Sequence, residues 1–436
     1  MLIEFSVGNY RSFKEKVTLS LVAADIRSKP AELDSDNRFV VDEKLALLKS
    51  AVIYGANASG KSNVVKALRF MSYFVLTSLV ELHSSHLFTA EPFRLSTEML
   101  EQPSLFEIVI RLKEIIYRYG FTLTAEQVTS EWLFHTPGKR EAYLFKREGD
   151  QITVNPRTFP EGQGLELRTR QDALFLSVAA QFNSSLAINL VDWFGDFTIN
   201  LGVEDATALR NARRSFSRAS DRQAIVDFIK QLDLGIEDLE TEKPLAEQLS
   251  LFDDAEPISS SRQRSSVPRI KTYHQRYDAE GKPLDLEPLD LDDNESQGTQ
   301  RLFILAQPLL EALRSGKLIV IDEIDARLHP LLTREIIKLF NSQERNPHNA
   351  QLIVTTHDTN LLDAKLLRRD QIWFVEKSRR GVSDLYSLVE YRLDKRIIRN
   401  DASFEKDYIA GRYGAIPYIG HITTLLETTD EPQTTE

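Results

Sequence analysis

The sequence contains no cysteine, which removes disulfides, thiolate metal sites and cysteine nucleophiles together and fits a reducing cytosol. No apolar run approaches the length of a membrane span, and the opening "MLIEFSVGNYRSFKEK" lacks a basic start followed by an apolar core. A cytoplasmic protein without membrane contact is expected. Basic charge is not in excess: 54 lysines and arginines stand against 65 aspartates and glutamates, a net of −11. That balance argues against non-specific coating of nucleic acid by the whole surface, while leaving room for a local patch. The net negative charge is concentrated in residues 233–295, where 17 acidic side chains stand against 7 basic ones. Sustained heptads are missing between about residue 63 and residue 290, where prolines and strand-like runs intervene, so no long coiled-coil arm is expected. There is no internal repeat. With 436 residues, the chain can build one large or two to three modest domains with ample core.

Glycine is sparse, 18 in all, which makes "VIYGANASGKSN", Val52 to Asn63, conspicuous. Gly55, Gly60, Lys61 and Ser62 fit G-x-x-x-x-G-K-[ST], the Walker A pattern, between an apolar run and a helix-period run. In such a loop the backbone N–H groups of Ala56, Asn57, Ala58, Ser59 and their neighbours face phosphate oxygens at the positive end of a helix. Lys61 would reach the β- and γ-phosphates and Ser62 would ligate magnesium, so ATP and Mg2+ are the expected cofactors. "KLIVIDEID", Lys317 to Asp325, is an apolar strand ending in paired carboxylates. Asp322 suits the magnesium shell, and Glu323 suits orienting and polarising a water for attack on the γ-phosphate. "LIVTTHD" ends another apolar strand at His357, placed either to contact the γ-phosphate or attacking water, or to serve structure alone.

In "NESQGTQRLFILAQPLLEAL", Ser296, Gly298 and Thr299 stand at the start of an amphipathic helix that contains Pro308. These residues suit an ordinary helix cap or an anion site. Since the Walker A loop already surrounds the phosphates on one side, a second anion site is most useful on the nucleotide of another subunit.

The hydropathy pattern predicts an α/β fold. An N-terminal lobe, 1–170, carries the Walker A loop and an antiparallel sheet that starts with two half-exposed strands. A helical insertion spans 171–240, and a mobile acidic and serine-rich linker spans 241–268. A C-terminal lobe, 269–424, opens with a hairpin at "RIKTYHQRYD" and "KPLDLEPLDL" and then alternates strand and helix, with "NLLDAKLL" among the helices. A frayed tail, 425–436, closes the chain. Within the insertion Arg210, Arg213, Arg214, Arg218 and Arg222 recur mostly at spacings of three and four. That face suits DNA phosphates, a tRNA, an acidic partner or plain solvent.

The order Walker A, S-x-G-T, "VIDEID" and "TTH" is similar to the ABC-type ATPase heads of the SMC and RecF group. More closely, "NYRSF", "GANASGKSN", "ESQGTQRLF", "DEIDARLHP" and "GRYGAIPYI" resemble the bacterial AAA-type ATPases of the OLD-like family, with matches from residue 3 to about residue 419. The resemblance implies an ABC-type head, a P-loop core with an antiparallel β subdomain, that dimerises around two ATP molecules. It implies that Ser296, Gly298 and Thr299 act across the interface, that Asp325 lies in the D-loop, and that Arg11, Ser12, Phe13 and Asn63 contact nucleotide. The signature reads "SQGT" rather than the transporter form "SGGQ", and no Q-loop glutamine is placed. Members of this family are often paired with an effector, such as a TOPRIM-type or other nuclease.

Three functions compete. One is an anti-phage defence ATPase that senses a nucleic-acid or phage-protein trigger and restrains or releases a separate toxic effector. Another is a RecF- or SMC-like repair ATPase. A transporter motor is disfavoured by the long insertion between Walker A and signature. No TOPRIM-like glutamate followed by D-x-D is legible after His357. "DLDD", Asp290 to Asp293, reads as an acidic lead-in to the signature rather than a metal-nuclease site, so strand cleavage is expected from a separate protein.

Overall fold

The computed structural model describes residues 1–79, 90–138, 140–200, 202, 206–218, 222–232, 235–242, 268–393, 396–397 and 403–416. Two large sheets organise them. The first is antiparallel and seven-stranded, in the order Gln151–Val154, Ala142–Glu148, Val128–Thr136, Ile115–Leu123, Ser104–Leu112, Leu2–Gly8 and Val17–Ser20. The second has six strands, Thr198–Asn200, Leu318–Ile321, Gln351–Thr355, Ser50–Tyr54, Ile372–Lys377 and Ser383–Ser387. All its neighbours are parallel except the last pair.

The strands at the centre of the second sheet read as unbroken apolar runs because both of their faces are covered. Alternation survives as a choice between two cores. Ala51 and Ile53 join the core that contains Val64, Leu68 and Met71 of the helix Lys61–Thr77, together with Phe106 and Phe121 of the antiparallel sheet. Val52 and Tyr54 point the other way, into a core with Leu302, Leu305 and Leu309 of the helix Gln297–Ser315 and Ile336 and Phe340 of the helix Pro330–Asn341. The same period of two sends Val320 to the first core and Ile319 and Ile321 to the second. The helix after the phosphate loop is therefore packed between two sheets.

Several expectations change. Leu2–Gly8 is buried along nearly its whole length rather than half-exposed, because Ile3 on its outer face packs against Phe39 and Leu47 of a small hairpin. The stretch 171–240 is not helical throughout. Between the helices Ser185–Asp196 and Ala206–Arg218, the strand Thr198–Asn200 joins the edge of the parallel sheet beside Leu318–Ile321. "NLLDAKLL" forms a short 3-10 turn, Thr359–Leu361, and further turns rather than a helix. There Asp358 and Asp363 accept backbone N–H groups of Asn360 and Lys365, which competes with helical bonding. The hairpin Arg269–Tyr277 and Pro283–Asp290 forms and gains a third strand, Ile236–Glu242. The helix with Pro308 runs unbroken from Gln297 to Ser315. Residues 243–267 of the expected linker, Pro417 to Ile419 of "GRYGAIPYI" and the tail 425–436 lie outside the described residues. Among those described, no helix is long and apolar enough to cross a membrane.

Candidate functional site

The strand Ser50–Tyr54 delivers the chain into the loop 55–60 and the helix that begins at Lys61. Two glycines are required by space. A Cβ on Gly55 would overlap the Val375 carbonyl and lie 2.6 Å from Ser59 Oγ. Gly60 has φ +114°, and a Cβ there would stand 2.6 Å from both Ser12 Oγ and Ser383 Oγ. Asn57 and Ala58 form the exposed tip of the loop, whereas Ser59 is buried. Lys61 is buried, and its Nζ donates to the carbonyls of Gly55 at 2.8 Å and Ala56 at 3.0 Å. Burial lowers its pKa to about 8, against the opposing pull of Asp322, Glu323 and Asp325.

Those carboxylates come from the end of Leu318–Ile321. Asp322 is buried, and its Oδ1 accepts from Ser62 Oγ at 3.2 Å and from Thr355 Oγ1 at 2.5 Å. Its backbone N donates to Asn200 O at 2.8 Å, so the edge strand fixes its height. Glu323 is exposed and has φ +50°, a left-handed conformation uncommon outside glycine. Its N–H donates to Thr355 Oγ1 at 2.8 Å. One hydroxyl thus accepts from the backbone of Glu323 and donates to the carboxylate of Asp322. Sequence reasoning passed over Thr355; its only signal was its place two residues before His357 at a strand end. His357 donates its backbone N–H to Asp325, with Oδ2 at 3.2 Å. Partial burial and then the charge of Lys61 lower the His357 pKa, while Asp325, Glu323 and Asp322 oppose them, which favours a neutral imidazole at neutral pH.

The model of a protein family described as "AAA domain, putative AbiEii toxin, Type IV TA system" matches residues 50–363. The match starts at the strand before the phosphate loop and ends just beyond His357. The chain belongs to this AAA family. No curated protein matches it. An AAA domain on a mixed α/β scaffold makes this a P-loop protein of the ATPase type. Such a domain implies the use of nucleotide and, typically, of Mg2+.

Other parts of the AAA protein close around the loop. The turn Asn9 to Phe13 precedes the family match and packs on it: Asn63 Nδ2 donates to Ser12 Oγ at 2.8 Å, and Ser383 N donates to Ser12 O at 2.7 Å. Ser383 Oγ donates to Ser59 O at 2.5 Å, and Lys377 Nζ to Ala58 O at 3.1 Å. Sequence reasoning missed these last two residues, since nothing local marks a hairpin 320 residues away as part of the cradle. Arg11 is ion-paired with Glu91 at 3.0 Å. Phe13, expected among the nucleotide contacts, is instead a core residue with no exposed surface. Its aromatic ring holds the turn in place.

Ser296 is exposed and caps the helix Gln297–Ser315, accepting from Thr299 N at 3.1 Å and lying 2.9 Å from Thr299 Oγ1. Gly298 lies against the segment after Asp325, where a Cβ would come 2.7 Å from Arg327 O. Glu295 accepts from Thr272 Oγ1 at 2.5 Å and lies 2.6 Å from His274 Nε2, which ties this cap to the three-stranded sheet. Of the expected arginine face, Arg210, Arg213, Arg214 and Arg218 share one side of the helix Ala206–Arg218, and Arg222 departs from it. Arg213 pairs with Asp292 of the "DLDD" run, while Arg222 begins a new helix, stacks over Phe216 and donates to Leu239 O. Asp290, in the same acidic run, faces Lys271 and Arg269. A cavity of about 780 Å³ lined by Asp34, Arg38, Lys49 and Asn346 opens at the opposite end of the parallel strands and holds none of the site residues.

Proposed function

We propose that the protein is the ATPase subunit of a bacterial anti-phage defence system. In this reading it is an ABC-type head of the OLD-like group that dimerises around two ATP molecules and, through its nucleotide state, restrains or releases a separate toxic effector, a nuclease encoded beside it. The observation that carries the reading is the gathering of Lys61, Ser62, Asp322, Glu323 and His357, from three strand ends far apart in sequence, at one end of one parallel sheet.

The residues present fit a nucleoside triphosphate with magnesium. Lys61 is already desolvated and rests on two loop carbonyls, which it can exchange for phosphate oxygens, and the resulting charge pairing favours its protonated form. Ser62 and Asp322 face each other and would hold the metal. A magnesium ion held there by Ser62 and Asp322 would supply positive charge to offset the negative charge developing on the phosphate oxygens. Glu323, exposed and fixed through its backbone to Thr355, orients a water. His357, held neutral, can hydrogen-bond that water or the γ-phosphate. Ser296 and Gly298 present a capped helix start toward solvent, where a second subunit's nucleotide would sit.

The test is phage challenge of bacteria carrying this gene with its neighbour, beside nucleotide retention and turnover of the purified chain. Protection should require both genes and be lost in Lys61→Ala and Glu323→Gln. The first variant should lose ATP, and the second should retain it without turnover. Protection against DNA damage with no partner gene would favour the RecF-like alternative instead.

A further inference from the structure

Arg301 lies five positions beyond Ser296 on the same helix, which at 100° per residue turns it about 140° away, from the solvent side to the core side. It is one of the least exposed charged residues of the chain, 3% accessible. Its Nη1 donates to Asn200 Oδ1 and to Gly202 O, both at 2.8 Å. Asn200 is also the residue whose carbonyl holds the backbone of Asp322, and its strand pairs with Leu318–Ile321 up to Ile321. One side chain therefore joins the helix that starts at the signature to the edge strand that sets the height of Asp322 and Glu323, the Walker B carboxylates.

The guanidinium is incompletely satisfied. Nε and Nη2 are buried with no hydrogen-bond partner, an arrangement that costs free energy for a cationic donor. Burial lowers the pKa of Arg301, Arg327 adds to that effect, and Asp322 and Glu323 oppose it. Among the described residues no direct ion pair holds this charge, and the field of Asp322 and Glu323 offsets only part of the cost of its burial. A side chain anchored through one nitrogen, with two donors left over, gains free energy from any movement around it that brings those donors to acceptors. Coupling between two sites requires an element with two arrangements that both sites can bias.

We propose that Arg301 is a positioning residue that couples the signature end of its helix to the Walker B carboxylates of the same chain, so that engagement of Ser296 by one nucleotide tunes hydrolysis at the other. This rests on the reading of Ser296 as the point that meets a second subunit's nucleotide. Gly298 supports the direction of the coupling: with no room for a Cβ against Arg327 O, the helix start lies directly on the segment after Asp325, so an inward shift of one presses on the other. Asn200 supplies the inner end of the same linkage.

The experiment is hydrogen–deuterium exchange of the full chain with and without AMP-PNP and Mg2+, in wild type, Arg301→Lys and Ser296→Arg, together with steady-state ATPase kinetics. In wild type the nucleotide should slow exchange at 55–62, at 296–302, and in the strands Thr198–Asn200 and Leu318–Ile321. Arg301→Lys keeps the charge but shortens the reach to Asn200 Oδ1 and Gly202 O and removes the planar group with its two spare donors. It should retain the first two responses and lose the last two, with kcat reduced about tenfold and KM little changed, as for other supporting partners of a metal site. Asn200→Ala removes one acceptor from the opposite side and should give the same pattern if the arginine variant folds poorly. A strand response and kcat like those of wild type in either variant overturn the coupling. Slowing at 55–62 without slowing at 296–302 in wild type would instead overturn the two-subunit reading, and the coupling with it.

Discussion

Replacing Thr355 by valine keeps the size and branching of a fully buried side chain while deleting the hydroxyl that joins Asp322 to the backbone of Glu323. Two bonds are lost. The bond to the Asp322 carboxylate is charge-assisted, and bonds of that type contribute about 1.5–3 kcal/mol. The Glu323 N–H belongs to an exposed residue, so water can replace the hydroxyl there and its loss adds little to the unfolding free energy. A destabilisation of about 2–3 kcal/mol is expected, carried mostly by Asp322. Function should suffer more than this figure suggests, because Glu323 would keep only the bond from Ala326 N to its carbonyl on its left-handed backbone, and Asp322 would be free to turn from Ser62. Turnover should fall by about 10- to 100-fold, with a raised magnesium requirement, by analogy with other supporting partners of metal ligands. Thr355→Ser is the control, since it keeps the hydroxyl and gives up one methyl group worth about 0.8 kcal/mol. Urea unfolding and ATPase rates over a magnesium titration separate the two variants. If valine matched serine in both magnesium dependence and turnover, the role given to Thr355 would be wrong.

Gly60→Ala should abolish nucleotide binding measured by equilibrium dialysis, because the new Cβ meets Ser12 and Ser383 in a backbone region that alanine disfavours. A stable protein that still binds ATP would show that the cradle is softer than its geometry indicates. Lys61 sets a pH dependence: with a folded pKa of about 8 against the ordinary lysine value of 10.5, the unfolded state binds more protons between those values, so the Lys61 contribution to stability rises with pH across that window. Lys61→Met should therefore be stabilised relative to wild type most clearly near pH 7, with the gap in urea midpoint narrowing toward pH 10. Mixing Ser296→Arg with Lys61→Ala should restore hydrolysis, since the heterodimer contains one site with an intact Walker A loop and an intact signature; strictly additive loss would mean that each chain works alone.

What was legible in the sequence was local or periodic. The Walker A loop announces itself because a phosphate cradle needs glycine at fixed spacing, and Gly55 and Gly60 stand where a Cβ has no room. The Asp322–Glu323 pair was visible because a four-residue apolar strand immediately precedes it. The strand Thr198–Asn200 was hidden for the opposite reason: three residues carry too little periodicity to outweigh the helices on either side. Leu2–Gly8 misled because polar residues such as Ser6 are buried as hydrogen-bonded members of the sheet, here with Thr18 at 2.8 Å. The supporting residues share a further property. Thr355 acts on Asp322 across 33 positions, Arg301 on Asn200 across 101, and Ser383 on Ser59 across 324. Nothing near any of them in sequence specifies its partner. A motif reports which atoms meet the phosphate, whereas the groups that hold those atoms in place are chosen by the order of strands in the sheet. Strand order places Ser50–Tyr54 between Gln351–Thr355 and Ile372–Lys377, and that placement brings Thr355 and the Ser383 hairpin to the two sides of one loop.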